Sequence, residues 1–110
     1  MSNDKLKLLG IKEALDKIEI YSNDFNEAED FYHDSKSFDA SMMQFVVIAE
    51  MIEKLSQEFK NSHNEVQWQK IKDFRNIIAH NYFGIDPDEI WDIIINKMKP
   101  LQIQINEYLI

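Results

Sequence analysis

Apolar residues along this chain recur at intervals of three and four, the period of helices that bury one face. Leu6, Leu9, Leu15 and Ile18 predict a first helix over residues 3–21, capped by Asn3 or Asp4 and ended by Ser22-Asn23-Asp24. Residues 26–32 read as a short helical turn inside a polar connection from Ser22 to Ser37. Met42, Phe45, Val46, Ala49, Ile52, Leu55 and Phe59 keep one face apolar and predict a long second helix from about Ser37 to Lys60. After an Asn61-Ser62-His63-Asn64 loop, a third helix starts near Val66 and runs to about His80 or Tyr82, where Gly84 suits a left-handed cap. Asp86-Pro87-Asp88-Glu89 is a helix start: a capping carboxylate, proline at the first position, then acids facing the positive end of the dipole. The fourth helix continues to about Leu109, with a kink or break expected at Pro100. The whole predicts an all-α protein, an up-and-down antiparallel bundle of four to five helices.

Composition narrows this picture. The 110 residues leave room for one domain, 1–110, and only two glycines and two prolines exclude a turn-rich β fold. Cysteine is absent, so neither a disulfide framework nor a thiolate metal site is available. No apolar stretch reaches membrane-spanning length, and Met1-Ser2-Asn3-Asp4-Lys5 lacks a signal-peptide layout, so the expectation is a cytoplasmic protein with no membrane association. The formal charge of −8 is opposite to the basic footprint of a protein that binds nucleic acid unaided. Any RNA-directed function then needs a local basic pocket or a partner.

The segment Arg75-Asn76-Ile77-Ile78-Ala79-His80-Asn81-Tyr82 carries the candidate chemistry. A guanidinium holds oxyanions through a fixed fork of donors, and an imidazole moves protons near neutral pH; together they suit phosphate chemistry without a metal. On a helical wheel Ile71, Phe74, Ile77 and Ile78 share the arc that must face the core. Asn76 and His80, four apart, share an outward face, so the amide is placed to orient the ring by hydrogen bonding. Arg75 and Tyr82, seven apart, align at the edge of the apolar stripe. Lys70 and Lys72 are placed to make a local basic pocket beside them. His33 and His63 have no second ligand at suitable spacing, so no metal and no cofactor is expected. Met42, Met43 and Met51 with Phe45 read as core or dimer packing. Trp68 and Trp91 read as core residues joining the third and fourth helices, and Asp24 to Asp34 as a solvated acidic loop.

The run from Trp68 through Arg75-Asn76, His80 and Tyr82, with Gly84-Ile85-Asp86 and Ile90-Trp91 after it, resembles the HepT-like branch of the HEPN proteins. The likeness extends back through Phe45 to Ile52 and covers essentially the whole chain, although Ala49 and Met51 stand where smaller residues, commonly Gly and Ala, are expected. The resemblance implies a HEPN-like bundle that forms a homodimer with its Arg-His motifs facing each other across a cleft. It implies a metal-independent ribonuclease, the toxin of a type II or type VII-like toxin–antitoxin pair. Its antitoxin is then a cognate minimal nucleotidyltransferase (MNT), which in some systems transfers AMP to the motif tyrosine. On that pattern Arg75 and His80 are catalytic, Asn76 is supporting, and Tyr82 is the AMP acceptor.

Metal-free RNA cleavage needs a base for the 2′-hydroxyl, an acid for the leaving 5′-oxygen, and positive charge on the phosphorane. One chain brings one motif histidine, and two-fold symmetry supplies the second. The rival expectation is a non-catalytic helical subunit that binds substrate or partner for a minimal nucleotidyltransferase, which the acidic charge suits equally well.

Overall fold

The computed structural model describes residues 3–110; the first two residues of the N-terminal segment read above lie outside them. Every regular element among the described residues is helical. Helix α1 spans Asn3–Ser22, α2 Ala28–His33, α3 Ser35–Lys54, α4 Gln57–Ser62 and α5 Trp68–His80. A 3₁₀ turn over Tyr82–Gly84 leads to α6, Pro87–Asp92, then a π-helical turn, Ile93–Lys97, and α7, Met98–Tyr108. The all-α bundle expected from the periodicity is the architecture observed.

Helices α1 and α3 form the central pair, α5 lies along α3, and α7 along α1. Leu8, Ile11, Leu15 and Ile18 from α1 meet Met42, Ile48 and Ile52 from α3 in the core, joined by Ile90 and Ile105. Helix α1 carries Gly10 where a Cβ would stand 3.1 Å from the Met51 sulfur. The small residue expected near Met51 in α3 is therefore found on the facing helix, and Met51 fills the space that glycine leaves. Gln102 of α7 is buried but satisfied, its amide donating to Glu19 at 2.9 Å and to Asp16 at 3.4 Å on α1.

Several sequence expectations change in detail, beginning with α1, where Leu6 and Leu9 are exposed and Leu8 and Ile11 take their place beside Leu15 and Ile18. The long second helix is two helices, because Leu55 is extended (φ −63°, ψ 142°) and Ser56 caps α4 by accepting from the Phe59 N–H. The Asp4 carboxylate locks that break, taking the Ser56 N–H at 2.8 Å and its hydroxyl at 2.7 Å. The short helical turn expected over residues 26–32 is α2, pinned by buried Phe31, whose ring lies 5.5–5.7 Å from those of Phe25, Phe38 and Trp91. Gly84 has no positive φ, so it is not the left-handed cap expected; its nearest neighbour is the side-chain amide of exposed Asn81. Pro100 does not break the last helix. The π turn before it, in which the Met98 N–H bonds back to the Ile93 carbonyl, widens the helix where the proline ring would otherwise press on the preceding turn.

Candidate functional site

Helix α5 is held at both ends and exposed along one side. Trp68 and Ile78 are buried, Ile71 and Phe74 are half-buried, and the Phe74 ring lies 5.2 Å from Phe45. Arg75, Asn76, Ala79 and His80 are all exposed. Ile77, expected in the core, is 48% exposed. It borders an apolar groove of about 580 Å³ between α5 and the α6–α7 arm, with Phe45, Phe74, Ile93, Met98 and Leu101 on its walls. Among the described residues no helix closes over this side chain, so it does not reach the core the helical wheel assigns it to.

Arg75 is oriented by α3: its Nε donates to Glu50 Oε1 at 2.8 Å. One turn earlier on α5, Lys72 pairs with Glu53, so two cations of α5 face two carboxylates of α3 across the antiparallel contact. The Lys72 hydrogen bond and charge hold the Glu53 carboxyl below its ordinary value, and the charge of Lys60 adds to the effect. A guanidinium bonded through Nε keeps its outer donors available for a phosphate oxygen. His80 closes α5. Among the described residues its ring has no hydrogen bond, ion pair or ring contact, and no bond joins it to Asn76. Helical spacing alone puts His80 about 7.5 Å along the axis from Arg75.

Tyr82 does not align with Arg75. The helix stops at His80, the Asn81 N–H closes on the Ile77 carbonyl at 3.0 Å, and the 3₁₀ turn carries the phenol toward the start of α3. There its hydroxyl donates to Asp39, and its ring meets Phe38 edge-on at 6.2 Å. Partial burial first, then the bond to Asp39 and that carboxylate's charge, push its ionisation well above the ordinary 10.0 and keep the phenol neutral. Asp39 and Glu50, the α3 partners of Tyr82 and Arg75, lie about 16 Å apart along that helix. Arg75, Asn76 and His80 therefore share one exposed stretch of α5, and Tyr82 stands beyond its end. Spacing could not reveal Glu50, Glu53 or Asp39, since each reaches its partner from a distant part of the chain.

The other candidates have structural work. His33 pairs with Glu29 on α2 at 3.2 Å. His63 stacks on Phe59 with centroids 4.1 Å apart and meets Tyr108 at 4.6 Å, while the Trp68 indole donates to its carbonyl at 3.0 Å. Trp68 is a core residue as expected, its ring 6.1 Å from Phe59 of α4, and half-buried Trp91 packs on Phe31 of α2. Met42 is core, Met51 half-buried and Met43 exposed. Among the described residues no group of three or more His, Cys, Asp or Glu is placed to hold a metal ion, and no helix is long and apolar enough to cross a membrane.

Comparison with known proteins shows the family of the chain. The family model for HepT-like ribonucleases matches residues 11–108. A candidate RNase of Methanocaldococcus jannaschii is 34% identical over 83% of this chain and 74% of its own length. The protein of Thermococcus cleftensis named probable ribonuclease HepT is 30% identical over 84% of this chain and 83% of its own. A second M. jannaschii protein, named gamma-glutamylcyclotransferase and candidate RNase, is 32% identical over 96% of this chain, which spans only 48% of that relative's length. No solved structure matches. The chain belongs to the HepT-like ribonuclease family.

Proposed function

We propose that this chain is a metal-independent endoribonuclease, the toxin of a toxin–antitoxin pair, whose site forms across a homodimer from both copies of Arg75 and His80. The observation that carries this reading is His80: exposed, at the end of a well-anchored helix, and without a structural partner among the described residues. A histidine with no part in packing or capping among the described residues, five residues after an arginine already oriented by Glu50, is suited to a reaction. Membership of a ribonuclease family supports the choice of reaction. The open groove beside Ile77, with Phe83 almost fully exposed nearby in sequence, offers apolar surface for a second copy to cover.

In the reaction one His80 accepts the 2′-hydroxyl proton as that oxygen attacks phosphorus. The His80 of the second copy gives its proton to the departing 5′-oxygen. Both Arg75 side chains hold the phosphorane oxygens, where charge is greatest. The products are a 2′,3′-cyclic phosphate and a free 5′-hydroxyl, and EDTA leaves the rate unchanged. Regulation fits Tyr82. The phenol oxygen would attack the α-phosphorus of ATP held by a partner nucleotidyltransferase, diphosphate would leave, and Asp39 would take the phenolic proton. The AMP group would then sit two residues past His80, not beside the Arg75 of the same chain.

The test is induced expression of wild type and His80→Ala in bacteria, alone and with a neighbouring nucleotidyltransferase gene, alongside cleavage in vitro. Growth arrest and RNA cleavage should require His80, with a loss of about 10²-fold or more in rate, and the neighbour should relieve arrest. Equal cleavage by His80→Ala removes the assignment. No arrest from well-folded wild type moves the reading to a non-catalytic partner subunit of the nucleotidyltransferase.

A further inference from the structure

The charge of this chain is strongly segregated. Residues 24–39 carry six carboxylates against one lysine, and residues 86–92 four carboxylates and no cation. Residues 54–75 carry five cations against three carboxylates. Within that segment the end of α3, α4 and the start of α5 border an open surface cavity of about 470 Å³. Lys60, Lys70 and Lys72 stand on its wall with Gln57, Asn61 and Trp68, and no carboxylate belongs to the lining.

The three ammonium groups differ in how far they are engaged. Lys60 gives one hydrogen bond to the Ile52 carbonyl at 3.2 Å, leaving the rest of its donors. Lys70 has no hydrogen bond or ion pair among the described residues. Lys72 is held by Glu53, which also feels the charge of Lys60. Glu53 is thus an internal counter-ion at the edge of the cavity, occupying what an external anion would otherwise take. The amides of Gln57 and Asn61 bond to one another at 2.9 Å and complete a polar rim. Lys72, on the cavity wall, lies about 4.5 Å along the axis of α5 before Arg75, the start of the motif.

We propose that this cavity is a subsite for the phosphate backbone of the RNA strand, holding the nucleotides that flank the one at the Arg75–His80 centre; the proposal rests on the ribonuclease reading above. A molecule of net charge −8 repels RNA at long range, and a local group of lysines free of carboxylates is what converts encounter into a registered complex. Glu53 sets the strength of that hold by competing with phosphate for Lys72.

The experiment measures binding of a short fluorescein-labelled single-stranded RNA across a salt series, in a His80→Ala background so that nothing is cleaved. Lys60→Gln and Lys70→Gln should each weaken binding about fivefold near 0.1 M salt and flatten the salt slope by about 0.7. Glu53→Gln should tighten binding by about two- to fivefold, because one lysine loses its internal counter-ion. Lys99→Gln, which removes the same charge outside the cavity lining, should change binding less than about twofold. Helical circular dichroism of each variant checks folding, and the gain in Glu53→Gln cannot come from unfolding. Binding indifferent to Lys60, Lys70 and Glu53 in a chain that still cleaves RNA when His80 is present overturns the subsite and leaves the ribonuclease. Lys99→Gln as damaging as the cavity lysines, or no RNA bound at all, also overturns the subsite. The expected lysine and Glu53 dependence in a chain that never cleaves RNA keeps the subsite and ends the ribonuclease reading.

Discussion

Arg75 and His80 reach solvent from the same helix but in different condition. The guanidinium is fixed by Glu50 through an Nε bond of 2.8 Å, and among the described residues nothing fixes the imidazole. A fixed cation beside a free proton carrier suits a site that waits for its substrate and a second protomer to complete it. Glu50 acts through Arg75 and is a positioning residue, so Glu50→Gln should lower kcat/KM for RNA about ten- to hundredfold. Both side chains are more than 40% exposed, so losing the pair should change unfolding free energy by less than about 1 kcal/mol. Urea unfolding beside cleavage kinetics separates the two effects. Unaltered cleavage would mean that Arg75 needs no orientation. That Arg75 and His80 reach solvent was legible in the sequence, because helical spacing is a local property. Glu50, Asp39 and Glu53 were not, since nothing within a helical turn marks which carboxylate an arginine, phenol or lysine will meet.

At the scale of elements, periodicity found the helices and missed where one of them breaks. Leu55 and Phe59 continue the apolar period of α3, so the sequence reads as one helix; the break comes from Asp4, fifty-two residues before Ser56, which captures the serine N–H and hydroxyl. The backbone N–H bond, then the hydroxyl, hold the Asp4 carboxyl below its ordinary 3.8, with some help from Lys60. A carboxyl lowered in the native state stabilises it fully above the ordinary value and loses that contribution as pH falls through the lower, folded one. Asp4→Asn should therefore cost about 0.5–1 kcal/mol near pH 7 and close to nothing near pH 2. Urea unfolding at the two pH values checks it, and a cost unchanged at low pH would deny the carboxylate this role. Ser56→Ala should remove the same contacts, so the double variant should cost clearly less than the two single losses combined. The π turn at Ile93–Lys97 is a second case: Pro100 announced a disturbance, but its form depended on how α7 had to lie along α1.

For the whole molecule, segregated charge sets two opposing salt dependences. In the proposed two-fold assembly the net charge doubles to about −16, so protomers repel one another and repel RNA at long range. Raising salt shortens the Debye length from about 30 Å at 0.01 M to about 8 Å at 0.15 M, which should strengthen dimerisation. The same change weakens the hold of Arg75 and the cavity lysines on phosphate, by about 0.7 in log–log slope for each contact. At protein concentrations near the dimer dissociation constant, cleavage should therefore rise with salt, pass through a maximum and fall. At concentrations well above it, only the fall should remain. Sedimentation velocity and cleavage rates over one salt series at the two concentrations test this directly. A monotonic fall at both, with sedimentation showing monomer throughout, would mean that a single chain carries the reaction and would remove the second His80 from the mechanism. A maximum that tracks the dimer fraction would tie activity to the two-fold site, because only assembly, and not RNA binding, gains from added salt.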